Sequence, residues 1–399
     1  MLTDVQLQKY ADVLIWGLTT ARTKKFKKQD LILIRYDSAA VRLAEVVYKR
    51  LIEMGFNTAH RVNLTPAMEK SFFEHADDHQ LVFQTPGDKE LYSHLNGSIF
   101  LHAPDSITHL SEVDPEKIGK SVIARKYLRE ILDHREEQGD FGWTLCLYPT
   151  RELADHAGLS LDEYTRQVVN ACFLDSEFPV DEWNAVYQQA TDIKKWLNSM
   201  AISTLHVESG HTDLTIRLGE KRKWIGISGH NIPSFEIFTS PDWRGTRGVY
   251  FANQPSYRSG NYVEDVRLEF KQGSAVRVEA RTGEEFVKKQ LEMDAGAKKI
   301  GEFSLTDTRF SKINAFMANT LYDENYGGTF GNCHIAVGAS YSDTYDGDPK
   351  NLNPELKKEL GFNDSALHWD LVNTENKKVT AHLATGEHVT IYENGMFTH

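Results

Sequence analysis

A chain of 399 residues with 40% hydrophobic content is long enough to bury the cores of two ordinary domains. Its net charge of −12 disfavours nucleic acid and anionic membrane as partners. Its three cysteines, Cys146, Cys172 and Cys333, form neither a Cys-x-x-Cys pair nor a disulfide framework, which fits a reducing cytoplasm.

The first stretch, MLTDVQLQKYADVLIWGLTT, is too polar for a signal peptide, and its apolar run VLIWGL is too short to span a membrane. Leu7, Tyr10, Val13, Leu14 and Leu18 recur near helical spacing, so residues 3–20 are predicted to form an amphipathic helix. The basic run from Arg22 to Lys28 reads as a solvated loop or helix end. Residues 31–36, LILIRY, have the composition of a buried strand. A helical run over 41–54 follows, stopped by Gly55, and then a second strand over 58–64. That β-α-β unit predicts a right-handed parallel crossover. No Gly-x-Gly-x-x-Gly follows its first strand, so dinucleotide binding has no support. Further strands are expected over 98–102 and 143–148, with helices over 122–135, 161–172 and 180–200.

Near residue 200 the texture changes. Residues 204–208, 212–218 and 223–227 alternate apolar and polar, with turns at Gly210 and Gly219, and predict antiparallel strands. Strands over 266–270 and 275–280 and a helix over 283–293 continue the pattern. The expectation is therefore an α/β domain over 1–200 with a mostly parallel sheet. A catalytic α+β domain with a mostly antiparallel sheet is expected over 201–399.

Five potential metal ligands lie in apolar, strand-like settings of the second half: Glu236 in SFEIFTSP, Glu302 in KKIGEFSL, His334 in NCHIAVG, and His368 and Asp370 in LHWDLV. An inward carboxylate in such a run needs a cation, because an unpaired buried charge is expensive. His368 and Asp370 are two apart, so a strand presents both on one face. Three carboxylates and two imidazoles suit a pair of divalent ions bridged by water, with acidic ligands offsetting the repulsion between the ions. Cys333, beside His334, points the opposite way on a strand and reads as core. Two other clusters compete. His206, His211 and Asp213 are close in sequence, but a spacing of five puts the two histidines on opposite faces of a strand. Asp343, Asp346 and Asp348 lack the spacing and the bidentate Glu of a calcium loop and read as solvated.

At these residues the sequence resembles the metal-dependent aminopeptidases that include aminopeptidases T and S. The resemblance rests on ordered segments: SFEIFTSP with Glu236, DAGAKKIGE with Glu302, and Asp323-Glu324-Asn325 followed by His334-Ile-Ala-Val-Gly338. Tyr341 stands seven residues after His334, and His368-x-Asp370 closes the set. Two features depart from the pattern: Ser234 and Phe235 stand where a Gly precedes the Glu, and the loop from Tyr326 to Cys333 is longer. The resemblance implies that Glu236, Glu302, His334, His368 and Asp370 hold two divalent metals, with zinc or cobalt favoured and manganese also suited to the ligands. It implies hydrolysis of the first peptide bond of short peptides with a free N-terminus by a metal-activated water. Glu302 would serve as bridging ligand or proton carrier, Tyr341 would act at the developing oxyanion, and the protein would be a homodimer. Two other readings stay open: a metal-dependent amidase on a non-peptide substrate, and a binding protein that keeps the fold without catalysis.

Overall fold

The computed structural model describes residues 1–348 and 351–399. The chain divides into two compact units, residues 1–183 with 228–233, and residues 184–227 with 234–399. The helix Pro179–Asn198 carries the chain from the first into the second, ahead of the change of texture near residue 200.

In the first unit the apolar run Leu31–Tyr36 pairs in parallel with Asn57–Val62 on one side and Gly97–His102 on the other. Gly142–Leu147 and the short strand Asn231–Ile232 extend the sheet, again in parallel. Ile32, Leu33 and Ile34 are buried on this sheet, as a strand covered on both faces requires. The helix Asp4–Ala21 starts at a capping box between Thr3 and Gln6 and buries Leu7, Tyr10, Val13, Leu14 and Leu18, the residues whose spacing predicted it. Gly17 lets this helix approach the backbone near the last strand: a Cβ there would lie 2.7 Å from the carbonyl oxygen of Gly229. Three short helices, Pro66–His75, Asp78–Leu81 and Asp88–His94, fill a region without a clear periodic signal. The helix expected from residue 122 begins earlier, at Pro115, which the Asp114 cap and a proline in the first turn favour.

The second unit is built on antiparallel sheets. Its larger sheet has eight strands, in the order Ser274–Glu279, Val266–Lys271, Arg247–Ala252, Asp213–Arg217, Ile202–Glu208, Lys378–Leu383, His388–Glu393 and Met396–Phe397. A four-stranded sheet runs His368–Asn373, Asn332–Gly338, Ile300–Thr306, Glu236–Thr239. Tyr250 joins the two, its hydroxyl donating to the carbonyls of Cys333 and Leu371 at 3.1 and 2.8 Å. The parallel sheet with its helices and the antiparallel second half are the architecture the sequence predicted.

The strand expected over 223–227 does not form. Ile225 makes only an isolated bridge to Phe238. Gly226 has φ +136° and Ile227 φ +51°, conformations that end a strand. At Gly226 a Cβ would lie 2.0 Å from the carbonyl oxygen of Glu236, so glycine is what allows this segment to cross so close to the Glu236 strand.

Candidate metal centre

The four-stranded sheet explains how residues far apart in sequence meet. Thr306 pairs with Glu236, Ser304 with His334, Ala336 with both Glu302 and Asp370, and Gly338 with His368. Paired residues share a face, and the face repeats every second residue. Glu236, Glu302, His334, His368 and Asp370 therefore all belong to one face of four adjacent strands. Cys333 belongs to the other face.

Glu236, Glu302 and His334 are buried, and one ligand atom from each falls within 4.8 Å of the others. His334 Nε2 is 3.1 Å from Glu302 Oε1, 3.4 Å from Glu236 Oε2 and 3.9 Å from Asp370 Oδ1. His368 Nε2 lies 3.5 Å from Asp370 Oδ1 and 3.8 Å from Glu302 Oε2. The two oxygens of Glu302 thus face two different imidazoles. His368 Nδ1 is 3.0 Å from the carbonyl oxygen of Ala339, so Nδ1 carries a hydrogen and Nε2 is the nitrogen that faces the cluster, open to a proton or a metal ion. The ring of Tyr341 packs against that of His368, with centroids 4.7 Å apart, and against Phe238 at 5.8 Å.

The electrostatics describe carboxylates crowded away from water. Burial, reinforced by the charges of Glu302 and Asp370, pushes the Glu236 carboxyl up to about 8. Burial alone would lower His334, but its hydrogen bond to Glu302 and the charges of Asp370, Glu236 and Glu302 outweigh it and raise the imidazole to about 9. His368 is likewise raised to about 9 by Asp370 and Glu302 against the effect of burial. Asp370 is partly buried, which by itself would raise it, yet the opposing charges of His368, His334 and Arg258 hold it down at about 2. Arg258 also donates to the backbone carbonyl of His368 at 2.8 Å, which anchors the start of that strand. Protons on the imidazoles here do what cations would do: they offset negative charge that the surroundings cannot solvate. Oxygen and imidazole donors in this proportion fit divalent zinc, cobalt or manganese.

The chain matches the thermophilic metalloprotease (M29) family over residues 3–397. It belongs to that family. Aminopeptidase AmpS of Bacillus subtilis is 30% identical over 266 residues, which are 64% of this chain and 62% of that protein. Aminopeptidase T of Thermus aquaticus is 31% identical over 270 residues, 64% of this chain and 62% of the relative. These alignments span less than two thirds of either relative. Wild-type AmpT from Thermus thermophilus shares the fold, with a TM-score of 0.81 at 23% identity over 99% of both chains. A metalloprotease family implies a divalent metal, and the buried carboxylate and imidazole donors are of the right kind to hold one.

Glu324, named in the sequence only within the Asp323-Glu324-Asn325 segment, is a further member of the site in this M29 chain. It is buried, and burial together with the charges of Glu236, Asp370 and Glu302 raises its carboxyl well above the usual range, so it adds to the same acidic cluster. Its neighbours are structural. Asp323 accepts backbone N–H bonds from Met317 and Asn319 at 2.7 and 2.9 Å, and Asn325 Oδ1 accepts from Phe235 N at 2.5 Å, ahead of the Glu236 strand. The signal was the Asp-Glu-Asn triplet itself: two buried fixing residues leave the one between them pointing elsewhere.

The competing clusters come apart. His211 pairs with Glu375, away from His206, which is 2.8 Å from Asp213. Asp346 and Asp348 are exposed. Among the described residues no helix is long and apolar enough to cross a membrane.

Proposed function

We propose that this M29 chain is an aminopeptidase that removes the N-terminal residue of short peptides at a two-metal centre. The observation that supports the reading best is Glu302, whose Oε1 faces His334 and Oε2 faces His368. One carboxylate shared between two imidazole-marked positions is what a bridged ion pair requires. Glu236 and His334 would serve one ion and His368 the other, with Glu302 and Asp370 between them and Glu324 adding charge. The bound ions supply polarisation of the scissile carbonyl and a water acidic enough to attack it.

The side chains do the rest. Glu302 has two alternative roles: as a bridging carboxylate it would hold the ions together, and as the proton carrier it would take the proton of the attacking water and return it to the leaving amine. The Tyr341 hydroxyl, beside His368, donates to the oxyanion as it develops. The acidic cluster attracts the free α-ammonium group, which distinguishes a peptide N-terminus from an acylated one. Zinc or cobalt is the proposed ion, and the homodimer implied by the resemblance, in the reducing cytoplasm that the cysteine usage fits, is part of the same proposal.

The test is release of free amino acid from short unblocked peptides and their N-acetylated counterparts, before chelation, after it, and after adding back zinc, cobalt or manganese. Release from unblocked peptides alone, lost on chelation and restored by one ion, is the expected result. Equal release from acetylated peptides would replace the aminopeptidase with a broader amidase. No release by folded, metal-loaded protein would leave a binding role.

A further inference from the structure

The sheet face that carries the acidic cluster also carries three polar atoms that the protein itself does not satisfy. His334 Nδ1, Ser304 Oγ and Asn332 Oδ1 are buried and have no hydrogen-bond partner among the described residues. All three residues are 0% exposed. The register sets them side by side. Ser304 pairs directly with His334, and Asn332 stands two residues before His334, so the three share a face with Glu302 and Glu236. The His334 imidazole reaches across the Ile300–Thr306 strand, since its Nε2 lies 3.4 Å from Glu236 Oε2 on the strand beyond. The ring therefore lies over Ser304, the residue directly opposite His334 on the strand it crosses. Asn332 is fixed from its other end. Its Nδ2 donates to the carbonyl oxygens of Glu324 and Tyr326 at 3.1 and 2.6 Å, which assigns the amide and makes Oδ1 the atom left over.

The three atoms are complementary. With Nε2 directed at the carboxylates, Nδ1 is the imidazole's second donor. Asn332 Oδ1 can only accept, and a serine hydroxyl can do both. Buried polar groups nearly always find partners, and a buried water makes about three hydrogen bonds. We infer, on the reading of His334 as a metal ligand, that Ser304 and Asn332 hold one buried water which accepts the Nδ1–H of His334, making Ser304 a positioning residue for the metal centre. The water accepts from His334 Nδ1 and Ser304 Oγ and donates to Asn332 Oδ1, which satisfies all three. A histidine that binds metal through one nitrogen donates through the other, and that second bond sets the ring's orientation and its strength as a ligand. His368 has such a bond to the carbonyl of Ala339. The water supplies the equivalent for His334.

The experiment compares the full chain with Ser304→Ala, His334→Ala and Thr239→Val. The Thr239 hydroxyl is likewise buried without a partner among the described residues, but Thr239 pairs with Phe303 and belongs to the opposite face. Zinc affinity is measured at pH 7 by competition with a chromophoric chelator. Crystal structures of the zinc-loaded parent and of Ser304→Ala are determined at a resolution that shows ordered water. The parent should hold one water within hydrogen-bond distance of His334 Nδ1, Ser304 Oγ and Asn332 Oδ1. Ser304→Ala should bind zinc about tenfold to a hundredfold more weakly, the scale for losing an outer-shell partner, with that water shifted or lost. Thr239→Val should bind zinc as the parent does. Metal-free Tm and circular dichroism show whether each variant is folded, and the parent structure decides by itself should Ser304→Ala not fold. A folded Ser304→Ala protein with the parent's zinc affinity would overturn the inference. So would a parent structure in which His334 Nδ1 donates to a protein group or has no water beside it. His334→Ala separates this failure from failure of the metal reading. If it binds zinc as tightly as the parent, His334 is not a ligand and both fall; if it loses zinc while Ser304→Ala does not, only the water-bridged role falls.

Discussion

Glu302 Oε1 stands 3.1 Å from Nε2 of His334, across two adjacent antiparallel strands whose register brings Ser304 opposite His334. Glu302 is therefore one diagonal step from the imidazole, on the same face, in a strand buried along its whole length. A side chain held so firmly has little freedom to be replaced by a neighbour. Glu302→Gln keeps the shape and removes the charge. It should lower kcat by at least about a hundredfold, the usual scale for losing a general base, while the folded protein retains its Tm within a few degrees when metal-loaded. Steady-state kinetics at measured metal content would check this. A kcat near that of the parent at full metal occupancy would remove Glu302 from proton transfer.

The raised imidazoles make metal uptake a proton exchange. His334 and His368, both raised to about 9, hold protons at pH 7 in metal-free protein, and so does Glu236, raised to about 8. A metal ion takes the same lone pairs, so binding at pH 7 must expel protons. The sign follows: metal affinity should rise with pH between about 6 and 9 and level off above, once the competing protons are gone. Isothermal titration calorimetry in buffers of different ionisation enthalpy should give a release of about two to three protons at pH 7. Zero release would mean that the cluster is already deprotonated without metal.

Tyr341 packs on His368 but is still 41% exposed, and its backbone N–H is tied to Ser240 Oγ at 2.9 Å. The backbone is fixed, and burial together with the charges of Glu302, Asp370, Glu324 and Glu236 raises the hydroxyl well above its ordinary value, which keeps it a hydrogen-bond donor beside the cluster. Tyr341→Phe should lower kcat by about tenfold to a hundredfold and leave KM within about twofold, because its hydrogen bond strengthens only as charge develops on the oxyanion. A change confined to KM would make it a binding residue instead.

Much of this site was legible because strand alternation is a strong constraint. Glu236, Glu302, His334, His368 and Asp370 each sit in apolar runs where an inward charge needs an explanation, and the structure gathers all five on one sheet face. The parallel first half was visible in LILIRY and in the helical spacing from Leu7 to Leu18. What escaped depended on long-range context. Lys223–Ile227 alternates like a strand, yet the close crossing at Gly226 reduces it to a single bridge. Glu324 lies in a turn after a four-residue helix, where no periodicity tells which way a side chain points.

Lys377 gives a prediction about stability that is independent of metal. It is 2% exposed, its amine reaches the carbonyl of Phe330 at 3.3 Å, and burial lowers it to about 8 despite the nearby charge of Glu375. In the unfolded chain a lysine holds its proton to about 10.4. Between these values the unfolded state binds more protons than the folded one, so folding stability rises with pH from about 8 to 10.4. Below pH 8 the folded protein carries the cost of a buried ammonium, on the order of 3 kcal/mol. Replacing Lys377 with methionine, of similar length, removes that cost along with one hydrogen bond of about 1 kcal/mol. Lys377→Met should therefore stabilise the protein by about 1–2 kcal/mol at pH 7 and by less at pH 10. Lys194, also lowered to about 8 by burial, is present in both proteins, so the difference between them isolates Lys377. Urea unfolding of parent and variant at pH 7 and pH 10 measures it. A difference that does not change with pH would mean that the Lys377 ammonium is solvated well enough to keep its ordinary proton affinity.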